Sequence, residues 1–385
     1  MHIVHCAPAF SPLTQTFIYG VVTGLQARGV RTSVLTWRRT NEAARPFDAV
    51  HMLPRPSRAE RAWIRLAALV GRRRPLSGLL ARRTRFERAV HAALKDLQPG
   101  CVHAHFGTTG VWLHRACADA QVPLVVTFRG KDASAKLRKA YWRRIYGELG
   151  RHCAAVTTVS QDLADRLQPL LPADTPCHVV HAGKDTAAIP FRAPPPPGGR
   201  LLSVGRLSPK KGHDIAIRAL AAIRGAGVDA RLAIIGGGRQ AEQLRRLSEQ
   251  LGVAPYVELQ GALPHDQVLE AYQHADILIA ANRTAENGDT EGVPNVLKEA
   301  QLSGLPVVAT RHGGIPWVVP PEHAAELVPE DDVEGIARQA LALLRLDQTG
   351  LEQRARRVRT HVCEHFGAEA EIEAYTKLYR RHCDP

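Results

Sequence analysis

No run of about 18 apolar residues occurs in the 385-residue chain, so no membrane-spanning helix is expected. The opening Met1-His2-Ile3-Val4-His5 lacks a basic n-region and a long apolar core; no secretory signal is expected. No C-x-x-C pair links the seven cysteines (Cys6, Cys101, Cys117, Cys153, Cys177, Cys363, Cys383), and an odd count without metal spacing suits reduced thiols in a cytosol. No D-x-D pair follows an apolar strand, which argues against a divalent metal holding a diphosphate. The G-x-S-x-G of a Ser hydrolase and the G-x-x-x-x-G-K-[ST] of a Walker loop are both missing. No internal repeat is visible.

Positive charge is in excess, at a formal net +14. Much of it is local, with eleven arginines against Glu60 and Glu87 between Arg55 and Arg88, interleaved with Trp63, Leu66, Leu69, Leu79 and Phe86. Such a basic, amphipathic, Trp-bearing segment fits an anionic membrane face. A solvated arginine-rich helix face is the plain alternative. Nucleic acid is a third partner, but no zinc-finger, RNA-recognition or basic-zipper signature accompanies the charge, and none is expected to bind.

The first 190 residues alternate strand and helix. Strands are expected at His2–Cys6, Arg31–Trp37, Val102–His105, Leu124–Phe128, Ala154–Val159 and His178–His181, with a helix over Thr16–Arg28. This alternation implies a parallel sheet covered on both faces, with ligands at the carboxyl ends of its strands. Pro194 to Pro197 with Gly198-Gly199 reads as a semi-rigid linker. The pattern then restarts with strands at Leu201–Val204, Arg231–Ile235, Val257–Leu259, Ile277–Ala281 and Pro306–Thr310. The reading is therefore α/β with two doubly wound domains, residues 1–193 and 200–365, facing across a ligand cleft.

Four stretches carry the chemistry. In Asp289 to Ala300, Pro294 sits where a helix can begin, leaving the N–H groups of Asn295, Val296 and Leu297 aimed out of an anion-favouring helix end. Glu291 and Glu299 frame that end and suit neutral sugar hydroxyls on either side of a diphosphate. In Gly205 to Gly212, Arg206 and Lys211 stand at a strand's carboxyl end, where two cations can clamp a diphosphate. Gly236-Gly237-Gly238 matches a dinucleotide fingerprint with Glu258 downstream. It opens the second βα unit rather than the first, so close passage of a nucleotide base or ribose is the better use. His103 and His105 are read as facing opposite sides of one strand, hence as unable to share a metal.

These residues carry a resemblance. Leu202 to Gly212, Ile234 to Gly238, Glu291 to Glu299 with its E-x7-E spacing, Gly304 to Thr310 and Gly313-Gly314-Ile315-Pro316 together resemble glycosyltransferase family 4. Leu13 to Ile18, His103 to Gly107 and Thr127 to Asp132 are similar to the colanic-acid and amylovoran type of exopolysaccharide transferase. The resemblance implies a GT-B fold with two Rossmann-like domains. The donor nucleotide sugar would lie in the C-terminal domain and the glycan or polyprenyl-linked acceptor in the N-terminal one, with a final helix, about 366–385, crossing back to the first. It implies retention without a metal or other cofactor, and a UDP-sugar by family weight.

By position, Arg206 and Lys211 would hold the diphosphate with the backbone of Val296 and Leu297, and Gly292, Val293, Pro294 and Asn295 would belong to the donor-binding site. Glu299 would take the ribose, Glu291 the transferred sugar, and Gly236 to Gly238, Thr16 and Arg129 would complete the site. Three positions depart from the family pattern: Arg129 for a common His, Trp317 for the usual Glu, and Gln15 for Glu. The implied enzyme is a cytoplasmic hexosyltransferase, peripheral on the inner face of the cytoplasmic membrane. A non-catalytic nucleotide-sugar-binding subunit and a GT-B-fold nucleotide-sugar epimerase are the alternatives.

Overall fold

The computed structural model describes residues 1–12, 16–62 and 84–383. The chain forms two compact units, Met1–Ala182 with Ala368–Pro385, and Gly183–Gly367. Among the described residues, no helix is long and apolar enough to cross a membrane.

The first unit contains β1 (His2–Ala7), α1 (Thr16–Ala27), β2 (Arg31–Thr36), β3 (Val50–Met52), α2 (Arg85–Leu97), β4 (Cys101–His105) and α3 (Gly107–Asp119). It continues through β5 (Leu124–Phe128), α4 (Ala140–Gly150), β6 (Ala155–Thr158), α5 (Gln161–Leu167) and β7 (Cys177–Val179). The strands form one parallel sheet in the order β3-β2-β1-β4-β5-β6-β7. β1, β4 and β5 are buried along their whole length, as strands covered on both faces are, and β1 and β4 each bury two histidines. Strand order reverses between β1 and β4, and such a reversal is where open sheets of this kind take ligands. β3 escaped the sequence pattern: three residues, two of them exposed, are too few to show a period.

Most of the arginine-rich stretch, residues 63–83, lies outside the described residues, but both its flanks are tied down. Glu60 accepts from the backbone N–H of Ser57 (2.7 Å) and of Phe86 (3.0 Å). Thr84 and Glu87 then close a capping box at the start of α2.

The second unit runs β8 (Arg200–Val204), α6 (His213–Gly225), β9 (Arg231–Ile235), α7 (Ala241–Gln250), β10 (Val257–Gly261), α8 (His265–His274) and β11 (Ile277–Ala280). After these come α9 (Asn295–Ser303), β12 (Val307–Ala309), α10 (Ile315–Val318), α11 (Val333–Leu344) and α12 (Gln348–Phe366). Its parallel sheet has the order β10-β9-β8-β11-β12, reversing between β8 and β11.

The chain enters this unit upstream of the proline run. Ile189 is buried in the second unit's core, Arg192 N–H donates to Ser303 O (3.0 Å), and Gln273 holds Pro190 O (3.2 Å). The prolines are therefore a lead-in to β8 within one unit. A proline run marks where regular structure stops, whereas Ile189 decides which core the segment joins.

The last helix, α13 (Ala368–His382), clusters with the first unit. It buries Ile372, Tyr375, Leu378 and Tyr379 in a core shared with Ile3, Leu25 and Val125. Each such aliphatic side chain contributes about 1.5–3 kcal/mol relative to exposure.

Candidate functional site

In the second unit two loops meet at the strand-order reversal. After β8 the chain passes Gly205 and forms a short 3-10 turn, Pro209–Lys211, which ends at Gly212 (φ 64°) before α6. A Cβ at Gly212 would lie 1.8 Å from Ala281 O, so only glycine lets this turn close against the end of β11. From the other side Arg283 rivets the loops together. Its N–H donates to Lys210 O (3.0 Å), its Nε to Pro209 O (2.9 Å), and its guanidinium pairs with Asp214 and Asp331. Sequence reasoning missed Arg283, because its partners are 48 to 74 residues away.

This closure brings Lys211 Nζ to 2.9 Å and Lys210 Nζ to 3.3 Å from Glu291 Oε1. Lys210 also reaches Asp289 (3.3 Å). Burial alone would raise the Glu291 carboxyl, but Lys211 and then Lys210 hold it down, to about 2. The Glu291 backbone is fixed as well: its N–H donates to His312 Nε2 (3.1 Å), and His312 Nδ1 bonds Glu330 (2.6 Å). Gly314 N–H donates to Gly292 O (2.6 Å), an approach that a Cβ at Gly314, 2.0 Å from the same oxygen, would forbid. The exposed Arg206 guanidinium has no ion-pair partner among the described residues.

Pro294 is the cap residue of α9, one position before the expected first turn. The N–H groups of Asn295 and Val296 have no carbonyl four residues back inside the helix and point out of its end. Leu297 does not join them: its N–H makes a 3.3 Å bond to Pro294 O, which corrects the expectation of three open amides. Val293 is half-buried and Gly292 buried in the loop that leads in. Glu299 is 5% exposed; Lys184 Nζ pairs with its Oε1, and Tyr272 OH donates to its Oε2 (3.3 Å). Neither partner was signalled by the sequence.

The three glycines after β9 serve first to pack backbone. A Cβ would lie 1.8 Å from Gly205 O at Gly236 and 2.3 Å from Leu207 O at Gly238, while at Gly237 the nearest atom is 3.6 Å away. Gly205 N–H donates to Ile235 O (2.9 Å) and Leu207 N–H to Gly237 O (3.0 Å). Thus Gly236 and Gly238 let the Gly205–Leu207 turn approach, a use the sequence reading did not foresee.

In the first unit, Thr16 begins α1, and residues 13–15, including Gln15, lie outside the described residues. Arg129 follows β5 and is 8% exposed in its side chain. Its guanidinium lies 4.0 Å over the Phe17 ring, 3.4 Å from His105 Nδ1 and 4.0 Å from Glu371, and its buried Nε has no hydrogen-bond partner. Asp132 fixes the loop by accepting from the N–H groups of Gly107, Arg129 and Gly130 (2.9–3.0 Å).

The expectation for His103 and His105 is overturned. Residues two apart on a strand share a face, and here their rings lie 4.3 Å apart, joined by His5 from the neighbouring β1. The three offer ligand atoms within 4.8 Å of one another. Their hydrogen bonds favour a polar core over a metal centre. His103 meets Tyr379 OH and Thr127 Oγ1, both at 2.6 Å, so neither of its nitrogens faces open space. His5 and His105 bond each other (3.1 Å), and the Arg129 charge sits beside His105. Burial pushes His5 down to about 3, and it lowers His103 and His105 well below the usual range, reinforced by their neighbours and Arg129. All three are therefore neutral at pH 7.

The remaining departure, Trp317, stands 37% exposed on α10, its carbonyl accepting from His361 Nε2 (3.0 Å).

Residues 198–346 match the family model described as glycosyl transferases group 1, and residues 14–188 the model described as glycosyltransferase family 4. WcaL of Salmonella typhimurium strain LT2, by name a colanic acid biosynthesis glycosyltransferase, is 32% identical over 271 residues, 69% of this chain and 67% of that protein. The amylovoran biosynthesis glycosyltransferase AmsK of Erwinia amylovora is 37% identical over 149 residues, 39% of this chain and 36% of that protein. Among solved structures, Anabaena HepE in complex with UDP-glucose superposes with a TM-score of 0.73 at 17% identity, covering 98% of this chain and 99% of that one. The superposition gives the fold as GT-B, and the relationship to WcaL, with the two family models over residues 14–188 and 198–346, shows that the chain belongs to glycosyltransferase family 4.

Proposed function

We propose that the chain is a retaining, metal-independent hexosyltransferase. It moves a sugar from a nucleotide diphosphate sugar, a UDP-sugar by preference, to a glycan or polyprenyl-linked acceptor of exopolysaccharide or cell-surface polysaccharide synthesis. The observation that carries this reading is the Lys210–Lys211–Glu291 cluster beside the open amides of α9, at the strand-order reversal.

In the proposed mechanism the diphosphate draws Lys211 and the free Arg206 to itself, with Asn295 and Val296 N–H groups at the helix end. Glu291, its backbone held by His312, then accepts from hydroxyls of the sugar to be transferred. Glu299 takes the ribose. Gly236 to Gly238, Gly292, Val293 and Pro294 shape the walls, and in the first unit Arg129 stands at the end of β5 and Thr16 at the start of α1. As the anomeric C–O bond lengthens, the cations stabilise charge on the leaving phosphate. That phosphate oxygen takes the acceptor hydroxyl's proton as the new bond forms on the same face, so configuration is retained. Fixed cations do the work a divalent ion does elsewhere.

The names of WcaL and AmsK support an exopolysaccharide role, and the basic Arg55–Arg88 segment supports a cytoplasmic enzyme docked on the inner face of the membrane.

Transfer from UDP- and GDP-sugars to a polyprenyl-diphosphate-linked glycan, with EDTA present, tests the reaction, and NMR of the product tests its anomeric outcome. Transfer with retention supports the reading. Failure with every donor, or inversion, contradicts it. Flotation with anionic liposomes separately tests the membrane docking, which no binding would refute.

A further inference from the structure

Lys184 stands where the chain has just entered the second unit, in a stretch with no regular element. Its backbone is nonetheless fixed: its N–H donates to Phe366 O (2.8 Å), and it forms a parallel bridge with Gly367. From this anchored position its side chain, 17% exposed, reaches Glu299 Oε1. The second carboxylate oxygen is met by the Tyr272 hydroxyl, which burial and the adjacent Glu299 charge keep protonated and therefore a donor. Each carboxylate oxygen offers about two lone-pair directions, so one on each remains for a ligand, and those two are set by Lys184 and Tyr272. Glu299 is four residues past Asn295, about 6 Å along the helix from the open amides. That spacing is of the order separating a nucleoside's β-phosphate from its sugar hydroxyls.

We infer that Lys184, aided by Tyr272, is the positioning residue that makes Glu299 a reader of a vicinal diol, so that the site selects ribonucleoside diphosphates over forms lacking the 2′ and 3′ hydroxyls. This inference rests on the donor-site reading above. Lys184 balances the buried carboxylate's charge and fixes its rotation, which leaves two acceptor directions side by side for a cis-diol. Without Lys184, Glu299 keeps only the 3.3 Å bond from Tyr272, and its carboxylate is free to turn away from the diol. The diphosphate clamp of Lys211 and Arg206 uses other side chains and is untouched by this change.

The test is calorimetric titration, without metal, of UDP, GDP, UMP, GMP and the 2′,3′-dideoxy diphosphates into wild type, Lys184→Met, Lys184→Arg and Tyr272→Phe. Wild type should prefer the ribose form by about tenfold or more, the effect of losing hydrogen bonds to a charged group. Lys184→Met should reduce that preference to about twofold while the diphosphate-over-monophosphate preference is retained, and Lys184→Arg should restore most of it. Tyr272→Phe removes a single hydroxyl and should produce an intermediate loss, which keeps the idea testable if Lys184→Met does not fold.

An unchanged ribose preference in Lys184→Met, or in Tyr272→Phe where only that variant folds, overturns the inference and leaves the donor site standing. A parallel fall of both preferences overturns it too, because Lys184 would then only support the fold. If wild type binds no nucleotide, the donor-site reading fails and takes this inference with it.

Discussion

The two units share a parallel, doubly wound sheet with a strand-order reversal, yet they furnish the carboxyl ends of their strands in opposite ways. In the second unit the reversal is lined by full charges in pairs: Lys210 and Lys211 on Glu291, Arg283 on Asp214 and Asp331, Lys184 on Glu299. In the first it is lined chiefly by neutral, stacked imidazoles and hydroxyls, with the buried Arg129–Glu371 pair at the edge. Paired ions can exchange partners when a charged ligand arrives, whereas the buried, hydrogen-bonded chain of His103, Thr127, Tyr375 and Tyr379 gives rigidity and carries no charge of its own to exchange. The same topology thus supplies a responsive surface in one unit and a fixed one in the other.

Acid should separate the two most strongly. His5, at about 3 against an ordinary 6.5, stays neutral in the fold while the unfolded chain takes up a proton. Its contribution is therefore complete above pH 6.5 and is lost as pH falls toward 3; His103 and His105 act in the same direction. Each such proton costs about 1.4 kcal/mol per pH unit. Glu291, at about 2 against an ordinary 4.5, contributes fully above 4.5 and loses its share only below that. The second unit has one comparable histidine, His213 at about 4. Between pH 6.5 and 4.5 the first unit should lose protection first, as read by hydrogen exchange. Simultaneous loss in both units would break the contrast.

Gly212→Ala comes next in size. With φ at 64° and Ala281 O 1.8 Å from the new Cβ, the turn must open, at a cost on the order of 3 kcal/mol. Denaturant unfolding should show this loss, and nucleotide binding should fall with it as Lys211 moves away from the site. Smaller still is Tyr379→Phe, which removes the hydroxyl on His103 Nδ1 and should cost about 1–2 kcal/mol. It should leave nucleotide affinity within about twofold, the change of one weak contact. An altered affinity would mean that the imidazole core acts on ligand directly.

How much of this the sequence disclosed follows the same division. The second unit's motifs are local: Gly205 to Gly212 is one loop, and Glu291 to Glu299 one loop and helix start, so the sequence alone locates their residues. What escaped there are the partners that hold them, Arg283, His312, Lys184 and Tyr272, each brought in by tertiary packing. The first unit's polar core draws on β1, β4, β5 and α13, with Tyr379 lying 276 residues from His103, and no short motif encodes such a meeting. There the one local rule available is the period of two along a strand, by which His103 and His105 share a face. The proline run, legible as a spacer, was silent about which core its neighbours Ile189 and Arg192 would join.

The charged clamp is tested most directly by calorimetric titration of UDP and GDP, without added metal, into wild type and Lys211→Ala. One of the diphosphates should bind wild type, and the substitution should weaken it by roughly 1.5–3 kcal/mol, the range for a hydrogen bond to a charged group. Equal affinity in the two proteins, or no binding of either diphosphate to wild type with or without Mg²⁺, would contradict the assignment of this loop pair as the donor site.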